Sequence, residues 1–188
     1  FANSMKRNWK HMTVVSSIIL LAAFSRLIPH PANFTAIGAL AIFGAFSIPN
    51  RWLSISAPLF AMWLSDLVLN NIFSSQAKGF VWFTSGVFWI YAGVVAHTIC
   101  TWFLMPKFKM TSLAFSSMAG ALVFFILSNF GVWLHFGMYP ATWHGLLYCY
   151  AAAIPFLGNM LASNLMFSAV LFGSYFLLEK KTNVFGIA

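Results

Sequence analysis

Only two acidic side chains, Asp66 and Glu179, occur among the 188 residues, so each stands out as a candidate for chemistry. Asp66 lies inside an apolar run over residues 52–73, about 21 Å from its start if the run is helical. A carboxylate at that depth in a membrane is costly and normally faces a partner inside a helix bundle. Arg26, at the end of an earlier apolar run, is the best partner by depth. The pair predicts one of three roles: a structural ion pair, a direct substrate contact, or coupling to a proton or sodium ion.

Amides and aromatic rings supply the other candidate binding groups. Asn33 and Asn129 lie next to predicted helix ends, where each could cap a helix or present its amide to a ligand. Four aromatic residues in the same outer segments could wall a flat heterocycle or form an interfacial belt. The predicted substrate-binding set therefore contains Arg26, Asn33, Asp66, Asn129, Trp133, Tyr139, Trp143 and Tyr148.

Side chains suited to catalysis or metal binding are sparse. The sequence has no paired carboxylates and no Ser-His-Asp order. His30, His135 and His144 fall in different loops, and His97-x-x-Cys100 offers two ligands without a nearby carboxylate. The two cysteines lie in different apolar runs, which favours inert free thiols over a disulfide. The protein is therefore expected not to be an enzyme and to hold neither a metal nor a cofactor.

The elements that must position these residues are apolar helices. Hydrophobic residues make up 61% of the chain and charged residues 6%, against about 25% charged residues in a typical soluble domain. This balance predicts an all-α, polytopic helix bundle in a lipid bilayer. The net charge of +8 does not indicate nucleic-acid binding, because the basic residues are scattered in ones, twos and threes between apolar runs.

Six membrane-spanning helices are predicted in a single domain over residues 1–188. A span needs about 20 mostly apolar residues. The last apolar run, 145–178, would be about 51 Å long as one straight helix, and it contains Pro155. We therefore predict a short tilted or half-inserted helix over 143–152, followed by a separate last span. The predicted spans are 12–28, 34–48, 52–73, 80–105, 111–134 and 156–178.

The basic residues predict the orientation of the bundle. With six spans both termini lie on one side, and that side carries eight of the ten Lys and Arg residues. The other side carries only Arg26 and Lys78. Since positive residues concentrate in cytoplasmic loops, both termini are predicted to be cytoplasmic. The connections rich in polar, aromatic, Pro and Gly residues then face outward, where they could surround a pocket.

Several segments of the chain carry a family resemblance: Arg26–Ala45, Leu64–Asp66, Asn129–Trp133, Tyr139–Pro140, Gly145–Tyr150 and Ile154–Phe156. In these segments the chain resembles a group of small bacterial integral membrane proteins of unknown function that are described only as transport proteins. One departure is Ser163-Asn164-Leu165, where the resemblance leads us to expect Gly-Asp-Leu, so an acid is missing. The resemblance implies a multi-pass protein of the bacterial inner membrane.

In size and six-helix layout the chain is also remotely similar to the substrate-binding S component of energy-coupling factor transporters. Those proteins capture vitamins or metals from outside and work with a transmembrane coupling subunit and ATPases. They dock through small residues, typically Ala-xxx-Ala on the first helix. The clearest match here, Ala41-xxx-Ala45, lies on the second predicted helix and either docks such a partner or packs within the bundle.

The leading hypothesis is a membrane solute-binding protein that captures a small vitamin-like or heterocyclic molecule from the outer side for uptake. The first alternative is a non-catalytic accessory or structural subunit of a larger membrane complex. The second, an intramembrane enzyme, lacks candidate residues. A cavity beside Asn33, Asp66 and Asn129 would favour the solute-binding protein, whereas a filled, dry bundle would favour the accessory subunit.

Overall fold

A computed structural model describes residues 2–73 and 79–182, with side chains for 10–73 and 79–178. Lys78 and its neighbours in one predicted outer connection lie outside the described residues. The described chain is all-α, as predicted, and contains no β-strand. Its helices are α1 (Ala2–Phe24), α2 (Ile37–Ser47), α3 (Arg51–Val68), α4 (Val87–Leu104), α5 (Met110–His135) and α6 (Trp143–Thr182).

The two ends of the bundle differ in their connections. Residues 48–50 join α2 to α3, and residues 105–109 join α4 to α5. Such short connections make the joined helices antiparallel neighbours. We call this the basic end, because Arg51, Lys107 and Lys109 lie there. The opposite end, which carries the longer segments 28–36, 79–86 and 136–142, is the loop-rich end.

Five of the helices are long and apolar enough to cross a membrane. The qualifying segments are Lys10–Leu27, Arg51–Phe73, Val87–Leu104, Met110–His135 and Trp143–Leu178. They agree in position with five of the six predicted spans. The bundle is therefore that of a multi-pass membrane protein by the length and composition of its helices.

The span predicted over 34–48 is shorter than expected. Helix α2 has 11 residues, about 16 Å of rise, which falls well short of a hydrocarbon core of about 30 Å. Pro29 and Pro31 cannot extend it backwards, and Asn33 adopts a left-handed conformation with φ 59°. The preceding segment 28–36 therefore enters the bundle as irregular backbone, which membranes tolerate only where protein or a cavity surrounds it.

The prediction of a separate short helix over 143–152 is wrong. Residues Trp143–Thr182 form one helix of 40 residues that passes through Pro155 without a break. Proline removes a single backbone hydrogen bond here, the one to the carbonyl of residue 151. Breaking the helix would leave several more backbone groups without partners, and lipid cannot hydrogen-bond them. The continuous helix is therefore the less costly arrangement.

Helix α2 is the centre of the bundle and contacts all five other helices. Residues Ala39–Gly44 are all buried, and Ala41 is 0% exposed, packed against Met62 of α3 and Val94 of α4. Small residues at such positions allow close approach of helix backbones. Ala41 is therefore covered by this chain's own helices, as the packing interpretation of Ala41-xxx-Ala45 expects at that position, while Ala45 is half-buried.

An aromatic cluster fills the basic end. The rings of Phe43 and Phe172 are 5.4 Å apart, and those of Phe108 and Phe176 are 4.8 Å apart, in edge-to-face geometry. Aromatic pairs prefer such arrangements, because a positive ring edge meets a negative ring face. Rings from α2, the 105–109 connection and α6 thus interlock: Phe43, Phe46, Phe108, Phe172, Tyr175 and Phe176.

Candidate functional site: a polar cavity at the loop-rich end

Arg26 and Asp66 meet at the loop-rich end of the bundle. The end of α1 tightens into a 3-10 turn, Ser25–Leu27, which carries Arg26 towards α3. Its Nη1 lies 2.7 Å from Oδ1 of Asp66, and the two side chains are 13% and 17% exposed. The predicted pairing by depth is confirmed. The pair carries no net charge, which reduces the cost of placing both ions between apolar helices.

The guanidinium is also tied to the backbone of α3. Nη1 of Arg26 donates to Oγ of Ser65 at 2.7 Å, and this hydroxyl donates in turn to the carbonyl of Met62 at 2.7 Å. Nε of Arg26 is buried and has no hydrogen-bond partner among the described residues. The guanidinium is thus held on one side by α3 and keeps further donor capacity on its other nitrogens.

A cavity of about 450 Å³ adjoins this ion pair. It reaches the surface at the loop-rich end, where the lining residues Asn33, Thr84 and Ser85 are exposed. Cavities that bind small molecules typically measure about 300–1,000 Å³. The polar side chains that line it are Arg26, Asn33, Thr35, Asp66, Asn70, Thr84, Ser85, His97, Ser128, Asn129 and Asn164.

Neither predicted amide is a helix cap. Helix α2 begins at Ile37, with Ala36 as its N-cap, so Asn33 lies upstream and lines the cavity from a left-handed turn. Helix α5 continues to His135, six residues beyond Asn129. Nδ2 of Asn129 donates to the carbonyl of Phe125 at 2.8 Å. That bond turns its Oδ1 away from the Phe125 carbonyl, and the side chain lines the cavity.

The four predicted aromatic residues do not wall the cavity. Nε1 of Trp133 donates to the carbonyl of Pro140 at 2.9 Å, which fastens the 136–142 segment to α5. Trp143 and Tyr148 are 69% and 65% exposed on α6, and Tyr139 is half-buried in the same segment. Aromatic side chains in this position are typical of a membrane interface. None of the four predicted aromatic residues is among the residues that line this cavity.

Two polar side chains deeper in the cavity are absent from the predicted set. His97 of α4 and Asn164 of α6 both line the cavity and are each 1% exposed. His97 lies ten residues into α4, about 15 Å from the loop-rich end of that helix. Their signal in the sequence is a strongly polar side chain within an apolar helix, which in a membrane indicates function or a buried partner. We call these two residues the cavity floor.

Glycine makes room for the cavity floor. A Cβ atom at Gly38 of α2 would collide with the amide group of Asn164, and one at Gly120 of α5 would collide with the His97 ring. The absence of side chains at these two positions lets α4 and α6 bring polar groups against neighbouring backbones. The floor is therefore a packed arrangement in which both side chains have little freedom to turn.

No three His, Cys, Asp or Glu side chains come together as metal ligands within the described parts of the chain. Cys100 and Cys149 are free thiols, and Sγ of Cys149 lies 3.4 Å from the carbonyl of Asn129. The cavity brings hydrogen-bonding side chains around the Arg26–Asp66 ion pair.

Comparison with known proteins places the chain in a family. The comparison with curated proteins and that with solved structures each gave no match. Residues 6–185 match a family model, DUF6580, described as a family of unknown function. This agrees with the resemblance to uncharacterised membrane proteins in the sequence. The match spans nearly the whole chain, so the protein belongs to the DUF6580 family.

Proposed function

We propose that this protein binds a small organic solute in the cavity at its loop-rich end and serves the uptake of that solute across the bacterial inner membrane. The single observation that supports the proposal most is the cavity of about 450 Å³ between apolar helices, lined by Arg26, Asn33, Asp66 and Asn129. An accessory subunit that only packs against other proteins has no need of such a space, because dense packing would be more stable.

The distribution of charge supports an outward-facing cavity. Arg51, Lys107 and Lys109 lie at the basic end, and Arg26, the described basic residue at the loop-rich end, is paired with Asp66. Positive residues favour the cytoplasmic side, so in this proposal the basic end and both termini face the cytosol. The cavity then receives solute from outside. In the manner of an S component, release to the cytosol would depend on a transmembrane coupling subunit with ATPases.

Native mass spectrometry of the purified full chain tests solute binding. The expected result is a co-purified small molecule that is lost in Ser128→Trp. Ser128 lines the cavity and its Oγ donates to the carbonyl of Phe124 in its own helix at 2.7 Å, so replacement fills space without breaking a contact between helices. The matched control is Ile126→Trp on the same helix, because Ile126 is 53% exposed and does not line the cavity.

Either of two results would contradict the proposal. One is a wild-type protein without any bound molecule. The other is a bound molecule that both tryptophan variants retain equally, since it would then lie outside the cavity. Loss of the molecule in Ser128→Trp alone supports binding within the cavity.

A further inference from the structure

The Asn164 side chain at the cavity floor presents a hydrogen-bond acceptor. Its Nδ2 donates to the backbone carbonyl of Ser117 at 3.4 Å. A carbonyl only accepts, so the NH₂ group must face Ser117 and the oxygen must face away from it. Oδ1 is buried, and it has no hydrogen-bond partner among the described residues. Burial of such an oxygen is costly unless a donor reaches it.

The His97 ring is a second polar group at the cavity floor. Its Nε2 is buried and has no hydrogen-bond partner within the described ranges. A neutral imidazole has one donor nitrogen and one acceptor nitrogen, so this ring accepts or donates according to its tautomer. The acceptor that the structure fixes at the floor is therefore Oδ1 of Asn164.

The charge balance of the cavity narrows the ligand further. Arg26 and Asp66 are the charged side chains among the lining residues, and they neutralise each other across 2.7 Å. A carboxylate or phosphate that reached Asn164 would meet an unpartnered acceptor oxygen. An anion therefore gains nothing from this oxygen to offset its loss of water.

We infer that the solute is an uncharged organic molecule whose inner end carries N–H or O–H donors, one of which binds Oδ1 of Asn164. This inference rests on the proposed function and adds the ligand class. A cyclic amide, a urea-type heterocycle or a primary amide has this chemistry. Its carbonyl groups can accept from the amides and hydroxyls nearer the rim, while its N–H groups satisfy the floor.

Matched probes test the inference on the full chain in detergent micelles, by isothermal titration calorimetry. One set contains uracil, 1,3-dimethyluracil and orotate, and the other contains benzamide, N,N-dimethylbenzamide and benzoate. Within each set the ring is shared. Uracil and benzamide carry N–H donors, and their methylated partners lack them. Orotate adds a carboxylate to the donors of uracil, and benzoate has a carboxylate in place of the amide. The expected result is that at least one donor-bearing probe binds and that its methylated partner binds about tenfold more weakly or worse.

Variants then locate the effect at the floor. Asn164→Leu has nearly the same size and is expected to weaken the donor-bearing probe about tenfold, to the level of its methylated partner. Ser168→Ala is the matched control, because Ser168 lies one turn further along α6, is 0% exposed and does not line the cavity. The probe pairs on the wild-type protein keep the test decisive if Asn164→Leu fails to fold.

The outcomes separate this inference from the proposed function. Binding of a methylated probe, or of benzoate, as tight as that of the matching donor-bearing probe overturns the inference. The inference is also overturned if no donor-bearing probe binds. A cavity that holds only water would give that result. If native mass spectrometry still shows a co-purified solute in that case, the proposed function survives without the inference. If no solute co-purifies and no probe binds, both fail.

Discussion

The basic end and the loop-rich end of the bundle fill the space between their helices in different ways. At the basic end, rings from α2, α6 and the 105–109 connection interlock in the aromatic cluster, which includes Phe43 and Phe172 at 5.4 Å. At the loop-rich end the helices surround a cavity of about 450 Å³, and Arg26 and Asp66 join α3 to the end of α1. The dense aromatic packing that stabilises the bundle therefore lies at the basic end, away from the proposed binding site.

The ion pair is the contact whose loss should cost most. Asp66→Asn removes the charge that compensates Arg26, both being less than one-fifth exposed, and we expect a loss of about 3 kcal/mol in the free energy of unfolding. Arg26→Gln should cost a similar amount. The double variant, Arg26→Gln with Asp66→Asn, should recover much of the loss, because no lone charge remains buried. Chemical unfolding of the purified protein in micelles measures all three.

Arg51→Gln provides the control from the basic end. Arg51 lies over the Trp102 ring, 5.2 Å from its centroid, in an exposed position, so its loss should cost about 0.5–1 kcal/mol. Single Arg26 and Asp66 variants as stable as the wild type would contradict the assigned role. So would a double variant less stable than either single one. If the double variant folds but no longer binds solute, the pair also contacts the solute directly.

A substitution in the aromatic cluster should have the next largest effect. In Phe172→Ala the ring, 2% exposed, loses its contacts with Phe43, Phe46 and Phe108. The unfolded helix keeps its side chains in lipid or detergent, so the loss is one of packing rather than of transfer from water. A residual void of roughly 100 Å³ corresponds to about 2 kcal/mol.

The decisive readout for Phe172→Ala combines stability with solute binding. We expect reduced stability with the affinity of the folded protein for its solute unchanged, since the ring does not line the cavity. Phe115→Ala, at a position 65% exposed on α5, is the matched control and should leave both properties near wild type. A drop in affinity as large as the drop in stability would show that the two ends are coupled and would break the comparison.

The ion pair and the general class of the fold could be predicted from the sequence for a simple physical reason. A charge within an apolar run must find a partner at equal depth, and Arg26 is the best candidate at the depth of Asp66. The apolar runs themselves predict helices. Five of them proved long enough to cross a membrane.

The cavity floor and the bounds of two helices could not be predicted in the same way. Asn164 and Asn159 are both amides on α6, and only the rotation of the helix decides that Asn164 meets α5 whereas Asn159 donates to the carbonyl of Ala32 at 3.0 Å. Hydropathy does not specify that rotation. A proline within an apolar run is compatible with a broken helix and with a continuous one. In lipid, the cost of backbone groups without hydrogen bonds favours the continuous helix that the structure shows at Pro155.

The smallest expected effect tests whether the basic end is held by local contacts alone. Oδ1 of Asn50 accepts from the backbone N–H groups of Trp52 at 2.9 Å and Leu53 at 3.1 Å and so caps α3. Asn50→Ala should cost about 1 kcal/mol, because two donors at the helix N-terminus lose their acceptor. Asn50→Asp keeps an acceptor and adds a charge that suits the helix dipole, so it should match the wild type.

The cap variant addresses the comparison of the two ends because α3 connects them. Asn50 begins the helix at the basic end, and Asp66 lies in its last turns at the loop-rich end. If α3 is a rigid element whose ends are anchored separately, Asn50→Ala lowers the unfolding free energy and leaves solute affinity unchanged. If affinity falls along with stability, fraying at Arg51 is transmitted to Asp66 along about 22 Å of helix, and the cavity depends on the basic end after all.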